Sequence, residues 1–351
     1  MGGTIDISRL KQSISGLARI TEDLPGTGGT IKSIPEHFRV EEILPYSACG
    51  EGEHVFVTLK RKGWNTADVA RSLAEACSLK TPDIGWGGRK DKNAVTTQTF
   101  SLPLPLAVSL QDLPSKFKDL PFDILGIARH RNKIKTGHVA ANRFDIMVTE
   151  IRADGLTRAT AIADRLRQQG LPNFYGEQRF GHRMGNIDQA AALLTSARRV
   201  SGRKNAFLVS ALQSALFNFW LQERMNHGSY ETILPGDIAK KTDTGGMFLV
   251  QDVEAAAQRF ANREIVYTGP IFGHKMKQAG DTAGAAESRV LAQFGLSLQD
   301  FKPLRAGGSR RAAIVYPNDL LVTPVEEGLR LRFTLPAGAY ATTLLREFTG
   351  G

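Results

Sequence analysis

The residues best suited to chemistry lie between positions 85 and 98. There Gly85-Trp86-Gly87-Gly88-Arg89-Lys90-Asp91-Lys92-Asn93-Ala94-Val95-Thr96-Thr97-Gln98 sets one carboxylate among three cations. Cationic neighbours hold a carboxyl group ionised, which suits Asp91 to act as a nucleophile or general base and unsuits it as a general acid. A solvated surface turn whose charges offset one another has the same composition. A second basic run, Arg129-His130-Arg131-Asn132-Lys133-Ile134-Lys135, spaces four cations at alternate positions, so a strand would line them along one face toward phosphates. A sheet edge protected by charge is the other reading. Arg198-Arg199, Arg203-Lys204 and Arg310-Arg311 add basic points that together suggest a broad tracking surface. Asn173-Phe174-Tyr175-Gly176-Glu177-Gln178-Arg179-Phe180-Gly181 combines aromatics, amides, an ion pair and two glycines, a mixture that suits either tight packing or a working site.

Other chemistries fail on spacing. The seven histidines show no His-x-x-x-His with a nearby Glu, and no Gly-x-Ser-x-Gly elbow occurs, so neither a zinc centre nor a serine hydrolase is expected. Cys49 and Cys77 form no Cys-x-x-Cys pair, which removes zinc ribbons and disulfide scaffolds and makes a reducing cytoplasm the expected compartment. Gly26-Thr27-Gly28-Gly29-Thr30-Ile31-Lys32-Ser33 resembles a phosphate loop until Ile31, which stands where a glycine must precede the lysine. No third glycine completes a dinucleotide fingerprint, and the segment reads as a flexible lead-in.

The elements that must position these residues follow from hydrophobic period. Residues 55–59 and 144–149 read as strands. Asn65 caps a helix expected to run to about Leu79, and residues 157–169 repeat the pattern before Gly170 and Pro172. From about 186 to 298 the pattern is mostly helical, with a long amphipathic helix at 206–225 and another at 282–294; strand-like sequence returns at 312–316 and 329–333. This order suggests an insertion into a mixed α and β body. The 351 residues allow about two domains, and 42% hydrophobic content supplies a core for each. The 45 Lys and Arg against 35 Asp and Glu leave +10, which favours a polyanionic partner. No targeting segment is expected at the N-terminus, and residues 206–225 are too polar for a bilayer span.

Taken together and in order, the motifs resemble the TruD family of tRNA pseudouridine synthases from about Gly26 onward. The resemblance rests on Pro35-Glu36-His37-Phe38-Arg39-Val40-Glu41-Glu42, Gly50-Glu51-Gly52-Glu53-His54, Lys62-Gly63-Trp64-Asn65-Thr66 and Gly88-Arg89-Lys90-Asp91-Lys92-Asn93-Ala94-Val95-Thr96. It continues through Ala141-Asn142-Arg143-Phe144, the 172–181 segment and Leu335-Pro336-Ala337-Gly338-Ala339-Tyr340-Ala341-Thr342-Thr343. It implies an α+β fold: a pseudouridine synthase catalytic domain with a mixed, largely antiparallel sheet, residues 1–183 plus 306–351, interrupted by an inserted α/β TRUD-type domain at 184–305. It also implies that Asp91 is the catalytic residue and that Phe38, Asn142, Phe144 and Tyr340 line the uridine pocket. Tyr340 departs from the phenylalanine frequent there, and Tyr175 and His37 depart in the same way from the usual Phe and Asp. No cofactor and no metal are needed, the partner is tRNA, modified at uridine 13 of the D arm, and no membrane or obligate protein partner is implied. Because Lys90 and Lys92 need not share the direction of Asp91, Lys32 or Arg346 is the expected cationic partner. The rival reading is a non-catalytic basic RNA-binding or RNA-assembly protein. A metal nuclease lacks its carboxylate cluster.

Overall fold

A computed structural model describes residues 6–195 and 202–350 of the chain. Arg198-Arg199 lie outside the described residues, as does the side chain of Arg203. Two compact units are present: Leu24–Arg167 with Pro317–Ala341 and Phe348–Gly351, and Met1–Asp23 with Gln168–Tyr316 and Thr342–Glu347. Compactness therefore divides the chain near 168 and 316, a different criterion from the insertion bounds of 184 and 305.

The first unit is built on a nine-stranded sheet, with strands numbered along the chain. Its members are β1 (Thr30–Ile31), β2 (Phe38–Ile43), β3 (His54–Lys62), β4 (Gly85–Trp86), β5 (Val95–Pro103), β6 (Asp123–His130), β7 (Ala141–Thr149), β14 (Asn318–Val325) and β15 (Gly328–Pro336). Their order is β14-β15-β7-β2-β5-β3-β6, with β1 on β7 and β4 on β5. β2 and β5 run parallel, and the other neighbours antiparallel, which is the mixed, largely antiparallel α+β sheet expected. Period-2 alternation explains the central strands. Phe144, Ile146 and Val148 are buried between Arg143, Asp145 and Met147, and Leu329, Leu331, Phe333 and Leu335 alternate with Arg330 and Arg332. On the other face Arg330 pairs with Asp145 and Arg143 with Glu41.

Helix α2 (Thr66–Ala76) starts at Asn65, whose side-chain oxygen accepts from the Ala67 and Asp68 amides at 3.1 Å. It stops short of Leu79, because Ser78 turns into the left-handed region at φ 56°. Its Val69, Ala70 and Leu73 pack on Val55, Val57, Leu59, Phe100 and Leu102 of β3 and β5. The glycine-rich lead-in is ordered: Thr30 and Ile31 pair with Thr149 and Val148. A Cβ on Gly29, at φ +98°, would lie 2.6 Å from the Thr149 carbonyl oxygen, so the close pairing of this segment on β7 requires glycine.

The expected basic stripe at 129–135 does not form. β6 ends at His130, and Arg129, only 8% exposed, turns inward to donate to the carbonyls of Gly52, Leu104, Pro105, Leu106 and Val108 at 2.7 to 3.4 Å. Arg131 pairs with Glu51, and Lys133 donates to the Pro82 carbonyl. Arg129 thus closes a loop rather than facing a phosphate. Replacing it by Met is expected to cost about 3 kcal/mol, the desolvation of carbonyls left unpaired, measurable as a lower midpoint of thermal unfolding. An unchanged midpoint would contradict this account.

The second unit holds α1 (Ile7–Ser15), α5 (Gly185–Thr195), α6 (Arg203–Asn226), α7 (Val253–Ala261) and α8 (Asp281–Gln293). It also contains strands β8 (Leu171–Pro172), β9 (Ile238–Lys241), β10 (Met247–Leu249), β11 (Ile265–Ile271), β12 (Ser309–Ala312) and β13 (Ile314–Val315). The stretch expected to be mostly helical carries β9, β10 and β11, which with β12 form an antiparallel sheet of order β10-β9-β11-β12. These strands are short or buried on both faces, so they show no alternation. Helix α6 is not one-sided as its pattern suggested. Ala211, Leu212, Ala215, Leu216, Phe217, Trp220 and Leu221 are all buried, which makes it the central helix of the unit.

Of the remaining basic points Lys204 is exposed, whereas Arg310 and Arg311 are engaged within this unit. Arg310 forms a buried pair with Glu287, and Arg311 donates to the backbone and side-chain oxygens of Asn173. The 173–181 motif is packing: Asn218 brackets the Tyr175 peptide from both sides, Arg179 donates to Ser210 and Ser214, and Phe174 and Phe180 are buried.

Candidate active site

Three neighbouring strands of the first unit set the site in register. On one face of the sheet, β2 presents Phe38, Val40 and Glu42 opposite Ile146, Phe144 and Asn142 of β7, which in turn lie opposite Leu331, Phe333 and Leu335 of β15. Phe144 meets Phe38 edge-on at 6.2 Å and stacks on Phe333 at 5.1 Å. The aromatic row therefore follows from alternation along three strands, and Asn142 heads the same face.

Asp91 enters from the loop between β4 and β5. One carboxylate oxygen pairs with Lys32 Nζ, and the other accepts from the Asn93 amide at 2.9 Å. Burial pushes the Asp91 carboxyl upward, but the Lys32 hydrogen bond, the Asn93 amide, the Lys32 charge and the Lys92 amide outweigh it and hold the group below its ordinary value. Asp91 is thus a carboxylate at neutral pH, and at 45% side-chain exposure it is within reach of a ligand.

Lys32 follows β1 with φ 62°, a left-handed conformation costing a non-glycine residue roughly 1 to 2 kcal/mol. The strain is local to the site, and it aims the chain so that Nζ lies 4.2 Å from the Phe38 ring centroid while it pairs with Asp91. Of the two expected cationic partners, Lys32 is therefore the one on Asp91. Arg346 belongs to the second unit, where its guanidinium donates to the Ala18 carbonyl and burial lowers its pKa. Lys90, the sequence neighbour of Asp91, instead pairs with buried Glu42. Arg89 and Lys92 are exposed. Tyr340 is half-buried in the first unit, just past a turn closed by the Ala339 amide on the Pro336 carbonyl.

Sequence reasoning did not single out Phe333, Glu42, Thr66, Gln98 or Arg61 as site residues. Phe333 was legible as the apolar member of a strand alternating with arginines. Glu42 stood within a quoted motif but carried no distinguishing signal. Around it, Gln98 Nε2 donates to Glu42 at 3.1 Å, and Arg61 donates to Thr66 Oγ1 at 3.0 Å. Burial lowers Arg61 to about 10, against the opposing charges of Glu42 and Asp91. Three buried polar atoms on this face lack a hydrogen-bond partner: Glu42 Oε1, Thr96 Oγ1 and Asn142 Oδ1. The three lie on adjacent strands β2, β5 and β7, and each costs free energy while it stays unpaired.

Among the described residues no group of three or more His, Cys, Asp or Glu is arranged to hold a metal ion, and no helix is long and apolar enough to cross a membrane. The chain matches the family described as tRNA pseudouridine synthase D (TruD) over residues 15–196 and 184–348. It is 42% identical over 347 residues to the tRNA pseudouridine synthase D of Anaeromyxobacter dehalogenans strain 2CP-C, covering 96% of this chain and 97% of that protein. Against a tRNA pseudouridine synthase D of Thermus thermophilus the identity is 41% over 335 residues, covering 93% and 90%. A solved Methanosarcina mazei chain assigned to TruD superposes with a TM-score of 0.75 over 98% of each chain; at 24% identity it bears on the fold alone.

Proposed function

Because the chain belongs to the TruD family of tRNA pseudouridine synthases, isomerases acting on tRNA, we propose that Asp91 is the carboxylate that converts uridine 13 of the D arm to pseudouridine without a cofactor. The observation that supports this reading is the Lys32-paired, ionised Asp91 at the edge of a face carrying Phe38, Asn142 and Phe144. The reaction breaks the bond from uracil N1 to ribose C1′, turns the base and joins C1′ to C5. The proton leaves C5 and N1 gains one, so product and substrate have the same formula. Asp91 serves as a carboxylate whether it attacks C1′, adds to uracil C6 or removes the C2′ proton to give a glycal.

The target base leaves its stack to reach the carboxylate, and the enzyme supplies substitute contacts. Phe38, Phe144 and Tyr340 offer ring faces, each worth roughly 1 to 3 kcal/mol by comparison with other base stacking. Asn142 offers an acceptor for uracil N3–H and a donor for a uracil oxygen. Residues 184–305, the inserted domain, help to grip the folded RNA in this reading, and residues 1–183 with 306–351 carry the chemistry. In this reading the protein works in the cytoplasm.

Asn142→Leu is expected to lower kcat/KM about 10- to 100-fold, the range of one or two lost polar contacts. Affinity for tRNA should change little, because phosphate contacts dominate it. Equal losses in affinity and turnover would count against a role in base choice. The position of modification is tested with tRNA transcripts tritiated at uracil C5. Wild-type enzyme should release tritium from a transcript carrying U13 and none from the same transcript with C13; equal release from both would rule out U13.

A further inference from the structure

The loop that carries Asp91 is pinned at several points by groups that do not touch Asp91. Gln98 Nε2 donates to the Gly88 carbonyl at 2.7 Å, and the Lys90 amide donates to Thr66 Oγ1 at 3.0 Å. The Gly63 amide donates to the Lys92 carbonyl at 3.2 Å. Behind these contacts Arg61 ties the two side chains together, donating to Thr66 Oγ1 at 3.0 Å and to Gln98 Oε1 at 3.4 Å, and also to the Trp64 carbonyl. Thr66, Gln98 and Arg61 are at most 2% exposed. Two backbone groups ahead of a half-exposed carboxylate are thus held by a dry, mutually bonded cluster, and a third, just past it, by the Gly63 amide, an arrangement that removes freedom from the loop before any ligand arrives.

We propose that Thr66, Gln98 and Arg61 are positioning residues of the isomerisation, which fix residues 88–90 so that the Asp91 carboxylate is already aimed when the flipped base enters. The proposal rests on the reading of Asp91 as the catalytic carboxylate. It also explains why the Gly63-Trp64-Asn65-Thr66 stretch sits where it does, since the same turn that caps α2 through Asn65 presents the Thr66 hydroxyl to the loop. The two roles belong to different side chains. Asn65 makes the cap bonds, so a change at Thr66 leaves the helix start in place.

The test compares Thr66→Val, which keeps the side-chain shape and loses the hydroxyl, with Thr66→Ser, which keeps the hydroxyl. Single-turnover tritium release from C5-labelled tRNA should fall about 10- to 100-fold in Thr66→Val, as expected for a misaimed catalytic group. The tRNA dissociation constant should stay within about threefold of wild type, because phosphate contacts set it. Thr66→Ser should recover most of the rate, a result that loss of packing would not produce. The acid limb of the Thr66→Val pH–rate profile should also move to higher pH, because a looser loop weakens the Asn93 and Lys92 amide bonds that hold Asp91 ionised. Gln98→Leu, which frees the Gly88 carbonyl, should act in the same direction, and it carries the test if Thr66→Val does not fold. Wild-type rates in both variants would overturn the proposal, as would a Thr66→Ser enzyme as slow as Thr66→Val. Turnover by Asp91→Asn at the wild-type rate would instead overturn the reading on which the proposal rests.

Discussion

Asp91→Asn is expected to bind tRNA as the wild type does and to release no detectable tritium from C5-labelled transcripts. The amide keeps the size of the carboxylate and its ability to accept from the Asn93 amide, but it can neither attack carbon nor take a proton. All three routes open to the carboxylate fail together, so the loss is expected at roughly 10⁴-fold or more in the single-turnover rate, the scale seen when a group central to chemistry is removed. Folding should be nearly unaffected, because an ion pair as exposed as Asp91 with Lys32 contributes little stability. Binding by filter retention and unfolding by heat control for both. Residual release within about tenfold of wild type would remove Asp91 from the chemistry.

Lys32→Met is expected to have the next largest effect and a distinctive pH signature. Methionine keeps most of the stem length and can set its sulfur against the Phe38 ring, where the ammonium lies in the wild type, while it removes the charge. Lys32 contributes both a hydrogen bond and a charge to the lowering of the Asp91 pKa. Without them, burial is opposed chiefly by backbone amides, and the carboxyl titrates at higher pH. The active form is the carboxylate, so the acid limb of the pH–rate profile must move upward in the variant, with activity lost first at low pH. A further loss persists at neutral pH, because the carboxylate has lost the cation that orients it; about 10²-fold is the expected scale for one electrostatic partner in a catalytic site. An acid limb unchanged from wild type would mean that Lys32 does not set the ionisation of Asp91.

The order of motifs made the family and the sheet legible, and the reasons differ by element. β7 and β15 announced themselves by alternation, because one face meets the core and the other meets water. β9 and β10, at four and three residues, are too short for any period to appear, and β11 is buried on both faces, so this sheet was hidden inside a stretch that read as helical. Asp91 was visible as a lone carboxylate among cations, yet the cations nearest in sequence were misleading. Side chains of adjacent loop residues point apart, which sends Lys90 to Glu42 and leaves Asp91 to a lysine 59 positions away. Thr66 and Gln98 gave no signal of their own, because what distinguishes them is burial and bonding to backbone groups distant in sequence.

The count of 45 lysines and arginines overstates what this chain can show to RNA. The guanidinium of Arg129 is spent on carbonyl oxygens inside the fold, and those of Arg224 and Arg310 sit in buried pairs with Asp237 and Glu287. None of them can displace a counterion from a phosphate, so the steepness with which tRNA affinity falls as salt is added is set by the outward cations alone. Removing the charge of Arg129 should therefore leave that slope where it was, whereas each exposed lysine that does meet a phosphate should take about one ion's worth of slope with it. A salt titration sorts the chain's arginines and lysines into mortar and bait.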